Sequence, residues 1–279
     1  MSRRAVEVLE AFTASKSDAR PNEDAYVIGE RHVAVLDGVT DKSGFTYEHG
    51  GTTETSGRFA ALVVSEALAR LDATGEAPDA AAAVSFIGGR LDDAVREQRP
   101  SLAREQRPAC ALVVYSAPRH EVWRVGDCSW LFDGVAHSGH LAFDDLTAGL
   151  RRTVTQVHLE DGWAVEHLAA RDPGRTAIQG LLEMQGMFAN RDHELGYGAI
   201  TGTPVPDRFL EVDALDGSGV LVLTSDGYPE IVGDREASDR RLTELLGSDP
   251  LCIGALLGTK APAPGAASYD DRTWVSLRV

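Results

Sequence analysis

Carboxylates recur at the ends of apolar segments along this chain, and their placement is the chemistry to read first. The apolar run His32–Leu36 leads into Asp37-Gly38. Val220–Thr224 leads through Ser225 into Asp226-Gly227, and Glu121–Val125 leads into Gly126-Asp127. Glu23-Asp24 stands just before Ala25–Ile28, and Asp270-Asp271 just before the closing run Arg272–Val279. One Asp-Gly after a strand is an ordinary turn. Five acidic strand ends in one chain form a pattern. If sheet packing gathers them, the charges repel strongly. Protonation or a divalent cation resolves that repulsion. Oxygen ligands with few histidines favour Mg²⁺ or Mn²⁺ over zinc. The glycine after the aspartate is expected to let the backbone turn sharply, so that its carbonyl also faces an ion.

The elements that must position these groups follow from periodicity and punctuation. Strands are expected at Val6–Thr13, Ala25–Ile28, His32–Leu36, Ala109–Ser116, Glu121–Val125, Ser129–Phe132, Arg208–Val212, Val220–Thr224 and Arg272–Val279. Asp41–Gly51 reads as a loop. A helix capped by Thr52 or Thr53 is expected to run through Asp72, with Phe59, Leu62, Val63, Ala67 and Leu68 at helical spacing. A second runs from Pro78 to about Gln98, and further helices are predicted at Leu141–Arg151, Thr176–Met187, Glu236–Leu246 and Leu251–Leu257. Lys260–Ala267 reads as a mobile linker by composition. Strands and helices do not alternate strictly, which argues against a doubly wound parallel sheet. The expectation is an α+β fold with two antiparallel sheets and helices packed outside. It forms one domain over 1–279, with a variable insert at about 139–203.

Composition narrows the function. The net charge is −16 over 279 residues. No basic face is offered for displacing counterions from a nucleic acid, so nucleic acid is discounted as a partner. A phosphate ester would be repelled at long range unless a local cation reversed the sign. Cys110, Cys128 and Cys252 show no CxxC pairing and read as reduced thiols. The first residues lack the apolar core of a signal peptide. No segment approaches the ~20 apolar residues that span a bilayer. The expected protein is therefore cytoplasmic, with no membrane partner and an oligomeric state that the sequence leaves open.

In its motifs the chain resembles the Mg²⁺/Mn²⁺-dependent protein phosphatases of type 2C. The matching segments are Asn22-Glu23-Asp24-Ala25, Val33–Gly38, Val125–Ser129, Leu223–Gly227 and Asp270–Thr273, in the family's order and across nearly the whole chain. The resemblance implies four layers, helices on both sides of a sandwich of two antiparallel sheets, and two metal ions between the sheet edges. It implies that Asp37 bridges the ions and that the Gly38 carbonyl binds one. Asp226 and Asp270 would bind the second, Glu23 and Asp24 would act mostly through bound waters, and Asp127 would hold a weaker third ion. The implied activity is hydrolysis of a phosphomonoester by a metal-bridging hydroxide, with phosphoserine or phosphothreonine in proteins as the default substrate. Two metals about 4 Å apart can generate such a hydroxide at neutral pH.

The chain departs from that family's pattern in three places. The phosphate-binding arginine is expected four residues before the glutamate, where Ala19 stands, and Arg20 comes one residue late. Arg58 is a weaker substitute. Val39 follows Asp37-Gly38 where some members carry a histidine that serves as general acid; His49 is a downstream substitute. The insert carries Arg191-Asp192-His193-Glu194 and Gly196-Tyr197-Gly198, either a substrate-facing loop or a helix end with a glycine turn. These departures keep two rivals open: a phosphatase of a small phosphorylated metabolite, and a non-catalytic protein that binds phosphorylated partners. Trp123, Trp130 and Trp274 are expected to pack in the core.

Overall fold

The structure is a computed structural model that describes residues 6–40, 42 and 44–279. In chain order, β1 (Glu7–Ala14), β2 (Ala25–Ile28), β3 (His32–Gly38), β4 (Thr46–His49) and β5 (Thr52–Thr55) precede α1 (Ser56–Thr74) and α2 (Ala80–Gln98). Four strands follow: β6 (Cys110–Ser116), β7 (Glu121–Val125), β8 (Ser129–Phe132) and β9 (Val135–His137). The insert holds α3 (Ala142–Glu160), α4 (Val165–Arg171) and α5 (Pro173–Glu183). The chain closes with β10 (Glu211–Ala214), β11 (Val220–Thr224), α6 (Arg235–Ser248) and β12 (Arg272–Arg278).

The strands form two five-stranded antiparallel sheets, ordered β1-β12-β11-β8-β9 and β10-β7-β6-β3-β2. Side-chain alternation explains the stacking. Along β3, Ala34 and Leu36 join the core shared with α1 and α2, whereas Val33 and Val35 join the core between the sheets. β6 splits in the same way, with Leu112 and Val114 on the helix side and Ala111 and Val113 on the sheet side. Both faces are covered, so these strands read as continuous apolar runs rather than alternating ones. On the outer face of the other sheet, Tyr228 packs with Val222 and Trp274. α6 is tied there by Arg235, which pairs with Glu10 and lies 4.5 Å over the Phe12 ring. The α+β sandwich of two antiparallel sheets is as expected, and Trp123, Trp130 and Trp274 are all buried in it.

Local differences have physical causes. β4 and β5 form a hairpin across the expected loop and the expected start of the first helix. Thr55, not Thr52 or Thr53, caps α1, accepting a bond from the Arg58 amide. The expected strand at Arg208–Val212 is a 3₁₀ turn at Asp207–Phe209 followed by β10. α3 extends nine residues past Arg151, to Glu160, and α4 was not expected at all. α5 starts at Pro173, with the Asp172 side chain as its cap, and ends in a 3₁₀ turn at Gln185–Phe188. No helix forms at Leu251–Leu257. The Asp249 carboxylate instead accepts the amides of Ile253, Gly254 and Leu256 at 2.7–3.0 Å, which replaces the helical bonding pattern.

That turn is tied to the insert by one residue. Arg151 of α3 is fully buried and pairs with Asp172 at 2.9 Å. Its guanidinium also donates to the carbonyls of Leu251, Cys252 and Gly258 at 2.8–3.0 Å. Removing the guanidinium would strand one carboxylate and three carbonyls. Arg151→Met is therefore expected to cost about 3 kcal/mol of stability, read as a lower denaturation midpoint in urea.

Candidate metal centre

Antiparallel pairing decides where the acidic strand ends meet. β3 ends at Gly38, and its partners β2 and β6 must start beside that end; β7, antiparallel to β6, must end there. In the other sheet β11 ends at Thr224, while its partners β8 and β12 start there and β1 ends there. Glu23, Asp24, Asp37, Asp127, Asp226 and Asp270 thus arrive at one end of the sandwich. Asp37, Gly38, Asp127, Asp226 and Asp270 line a cavity of about 480 Å³ at that end.

The glycines of the two Asp-Gly pairs serve close approach rather than a sharp turn. Neither has a positive φ. A Cβ on Gly38 would lie 2.5 Å from the Glu23 carbonyl oxygen and 2.6 Å from that of Gly57, at the start of α1. A Cβ on Gly227 would lie 1.9 Å from the Asp271 carbonyl oxygen. Each aspartate is thereby fixed by backbone pressed against backbone.

Burial and mutual repulsion act together on these carboxyls. Burial, then the neighbouring charges of Asp226 and Asp271, pushes Asp24 well above the ordinary carboxylate range. The same holds for Asp37, beside Asp24 and Asp127, and for Asp226, beside Asp37 and Asp270. Burial and the charges of Asp226 and Asp144 push Asp127 up to about 8. Asp37 and Asp226 are in contact, with the Asp226 amide 3.4 Å from Asp37 Oδ2. Asp270 behaves oppositely. Its burial would raise it, but the ammonium groups of Lys260 and Lys16 hold it below the usual range, the second at 2.9 Å.

The remaining groups are engaged in support. Glu23 accepts the hydroxyls of Thr40 at 2.5 Å and Thr55 at 2.6 Å. Asp24 accepts the Thr273 hydroxyl at 2.9 Å, and Arg58 donates to the Asp24 carbonyl at 2.6 Å, so Arg58 positions the centre from behind. Arg20 is exposed on the cavity rim. His49 pairs with Glu66 at 3.0 Å in a separate groove and does not reach the carboxylates. From the insert, Tyr197 and Gly198 line the cavity, while Asp192 pairs outward with Arg208.

Sequence reading assigned no site role to Asp271 or to the lysines. Asp271 is buried and accepts the amides of Lys16 at 2.8 Å and Glu23 at 2.9 Å, which ties the end of β1 to the start of β12. The chain has three lysines, Lys16, Lys42 and Lys260, and all three line this cavity. Their scarcity beside 24 arginines was a readable signal. Lys260 also corrects the expectation of a linker at Lys260–Ala267, because that segment delivers a cation to Asp270.

The donor set fits a hard divalent cation in kind: all oxygen, acidic, and repelling itself. Among the described residues, no three His, Cys, Asp or Glu side chains converge closely enough on one point to hold an ion. Asp37 and Asp226 touch each other, and Asp270 is already neutralised by lysine.

No family model matches the sequence, and neither does any curated protein. Solved structures do match in fold. The serine/threonine phosphatase PstP/Ppp of Mycobacterium tuberculosis is similar over 99% of this chain and 99% of its own, at 18% identity and TM-score 0.50. The PstP catalytic domain in complex with two manganese ions gives the same values. Stp1, a serine/threonine phosphatase from Staphylococcus aureus, is similar over 100% of this chain and 96% of its own, at 14% identity and TM-score 0.52. The resemblance seen in the motifs therefore holds at the level of the fold.

The raised carboxyls fix the sign of a pH effect in metal-free protein. The folded state keeps protons that the unfolded chain releases, so these groups contribute fully below about pH 4. The contribution is lost as pH rises through the folded values, which for Asp127 is about 8. Asp270 is shifted the other way and loses its contribution only in acid. In EDTA, Tm is expected to fall between about pH 5.5 and pH 8.5. Asp127→Asn should raise it by roughly 3 °C at the upper pH, about 1 kcal/mol for a chain of this size.

Proposed function

We propose that this protein is a Mn²⁺- or Mg²⁺-dependent phosphomonoester hydrolase acting on phosphoserine or phosphothreonine in proteins. One observation carries the reading. Mutually repelling carboxylates from both sheets, buried Asp24 with half-buried Asp37, Asp127 and Asp226, meet at one end of a sandwich that has the fold of serine/threonine phosphatases.

Asp37, Asp226 and the Gly38 carbonyl would hold the ions, with Asp270 as a further ligand and Asp127 at a weaker third position. Glu23 and Asp24 would support them through waters. Bound there, the metal would supply an acidified water and offset charge on the phosphoryl oxygens. The chain's own residues do the rest. Arg20 on the rim would orient the phosphoryl group. Asp271 and Arg58 hold the backbone that sets Glu23 and Asp24. Lys16 and Lys260 keep Asp270 ionised. All three cysteines are buried, so none offers itself as the nucleophile of a covalent route. No helix among the described residues is long and apolar enough to cross a membrane.

A second reading keeps the chemistry and makes the substrate a small phosphorylated metabolite. It is favoured by the cations that line the cavity of about 480 Å³, a volume suited to a small ligand.

Hydrolysis of p-nitrophenyl phosphate should depend on Mn²⁺, vanish in EDTA, and fall at least about 100-fold in Asp37→Asn and Asp226→Asn. No Mn²⁺-dependent hydrolysis by the unmodified protein would overturn both catalytic readings and leave a phosphoprotein-binding role. Comparing phosphopeptides with phosphorylated metabolites then decides the substrate class.

A further inference from the structure

The cavity is electrically divided. Asp37, Asp127 and Asp226 form its acidic floor, and Lys16 and Lys260 are committed to Asp270. Apart from Arg20 on the rim, two other cations line the same space without such a commitment. Lys42, on the segment after β3, donates among the described residues only to the carbonyl of Thr40 two residues away. Arg175, in the first turn of α5, donates to the Thr259 carbonyl at 2.9 Å. Among the described residues neither is ion-paired with a carboxylate. They face each other as like charges, with Lys260 as a third, and Asp144 is the carboxylate that all three share. Glu23 also acts on Lys42, and Asp172 and Asp270 on Arg175, but among the described residues no carboxylate oxygen lies within ion-pair distance of either cation. A half-buried cation without a direct partner favours an entering anion. Burial and the charges of Lys260 and Arg175 accordingly press Lys42 down to about 8.

The pair is also set apart from the acidic floor. The opposite charges that Lys42 feels are Glu23 and Asp144, and those that Arg175 feels are Asp172, Asp144 and Asp270; both cations thus lie toward the rim of the centre, beside Glu23 and Asp270, rather than over Asp37, Asp127 and Asp226. Arg175 is held in place by the Asp172 cap of α5 and by Thr259, next to Lys260. Such a pair is positioned to hold a group other than the phosphoryl being cleaved.

We propose that Lys42 and Arg175 form an anion-binding subsite for a second phosphate or carboxylate group carried by the phosphorylated ligand. The subsite deepens the phosphatase reading and rests on it for the word substrate, but its anion binding does not need catalysis.

Two measurements test it. Calorimetric titration of the metal-free full chain with inorganic phosphate should show binding, because the acidic floor repels phosphate and the subsite attracts it. Lys42→Ala and Arg175→Ala should each weaken it at least about tenfold, Lys42→Arg should restore it to within about threefold, and Asp37→Asn should keep it. No phosphate binding by the unmodified chain, or equal binding by both alanine variants, overturns the subsite whether or not the chain hydrolyses anything.

With Mn²⁺ present, kcat/KM is compared within two pairs of substrates. One pair is a sugar bisphosphate and its monophosphate. The other is a phosphoserine peptide with an adjacent Asp and the same peptide with Ala. The doubly anionic member should be preferred in one pair, which identifies the source of the second anion, and both alanine variants should erase that preference. Active protein with no preference in either pair overturns the assignment to a second anionic group.

Discussion

Like charges held together against their own repulsion are the constraint on which this structure turns. Asp24, Asp37, Asp127 and Asp226 gather at one end of the sandwich, partly withdrawn from water, and neighbours among them make one another's ionisation harder. Nothing in their own interactions would assemble them. The assembly is imposed by the apolar layers behind them, which bury Val33, Val35, Val113, Leu221, Leu223 and Val275 between the sheets. Burial of that kind contributes ~25 cal/mol per Å² of apolar area, enough in aggregate to hold an unfavourable cluster at one edge. Function of this kind is placed where the fold can tolerate strain.

Register converts that force into geometry. Every strand of a strictly antiparallel pair turns its end toward its neighbour's beginning, so carboxylates placed before β2 and β12, at the end of β3 and after β7 and β11 have nowhere else to go. The contacts beneath them are between backbones. Gly38 lies against Glu23 and Gly57, and Gly227 against Asp271, with no room for a methyl group. Side chains can adjust by rotation, whereas a backbone carbonyl in a paired strand cannot. Such positions are held more firmly than packing of flexible groups would allow.

The acidic strand ends were legible because each coupled a local signal, an apolar run, to a local consequence, a carboxylate at its end. Ala25–Ile28, Glu121–Val125, Ser129–Phe132 and Val220–Thr224 match the observed strands residue for residue. What was illegible depends on partners distant in sequence. The Leu251–Leu257 stretch has helical spacing, but the Asp249 side chain and Arg151, 100 residues earlier, take its amides and carbonyls. The β4–β5 hairpin forms across polar residues with no apolar alternation to announce it. Lys260 lies in a composition typical of linkers, and only the fold shows that it meets Asp270. The glycine after each aspartate was expected to give a sharp turn; it serves proximity, not φ.

Arg151 has one further consequence. Its guanidinium grips the 251–258 turn by hydrogen bonds to three carbonyl oxygens. A grip on carbonyls is blind to amino-acid identity, since every residue offers the same acceptor. The turn can therefore exchange Leu257, which faces the cavity, for almost any other side chain and still be anchored at the same points. The molecule separates the fastening of this wall from its wording. Ligand preference can drift along the wall while the carboxylates opposite keep their places.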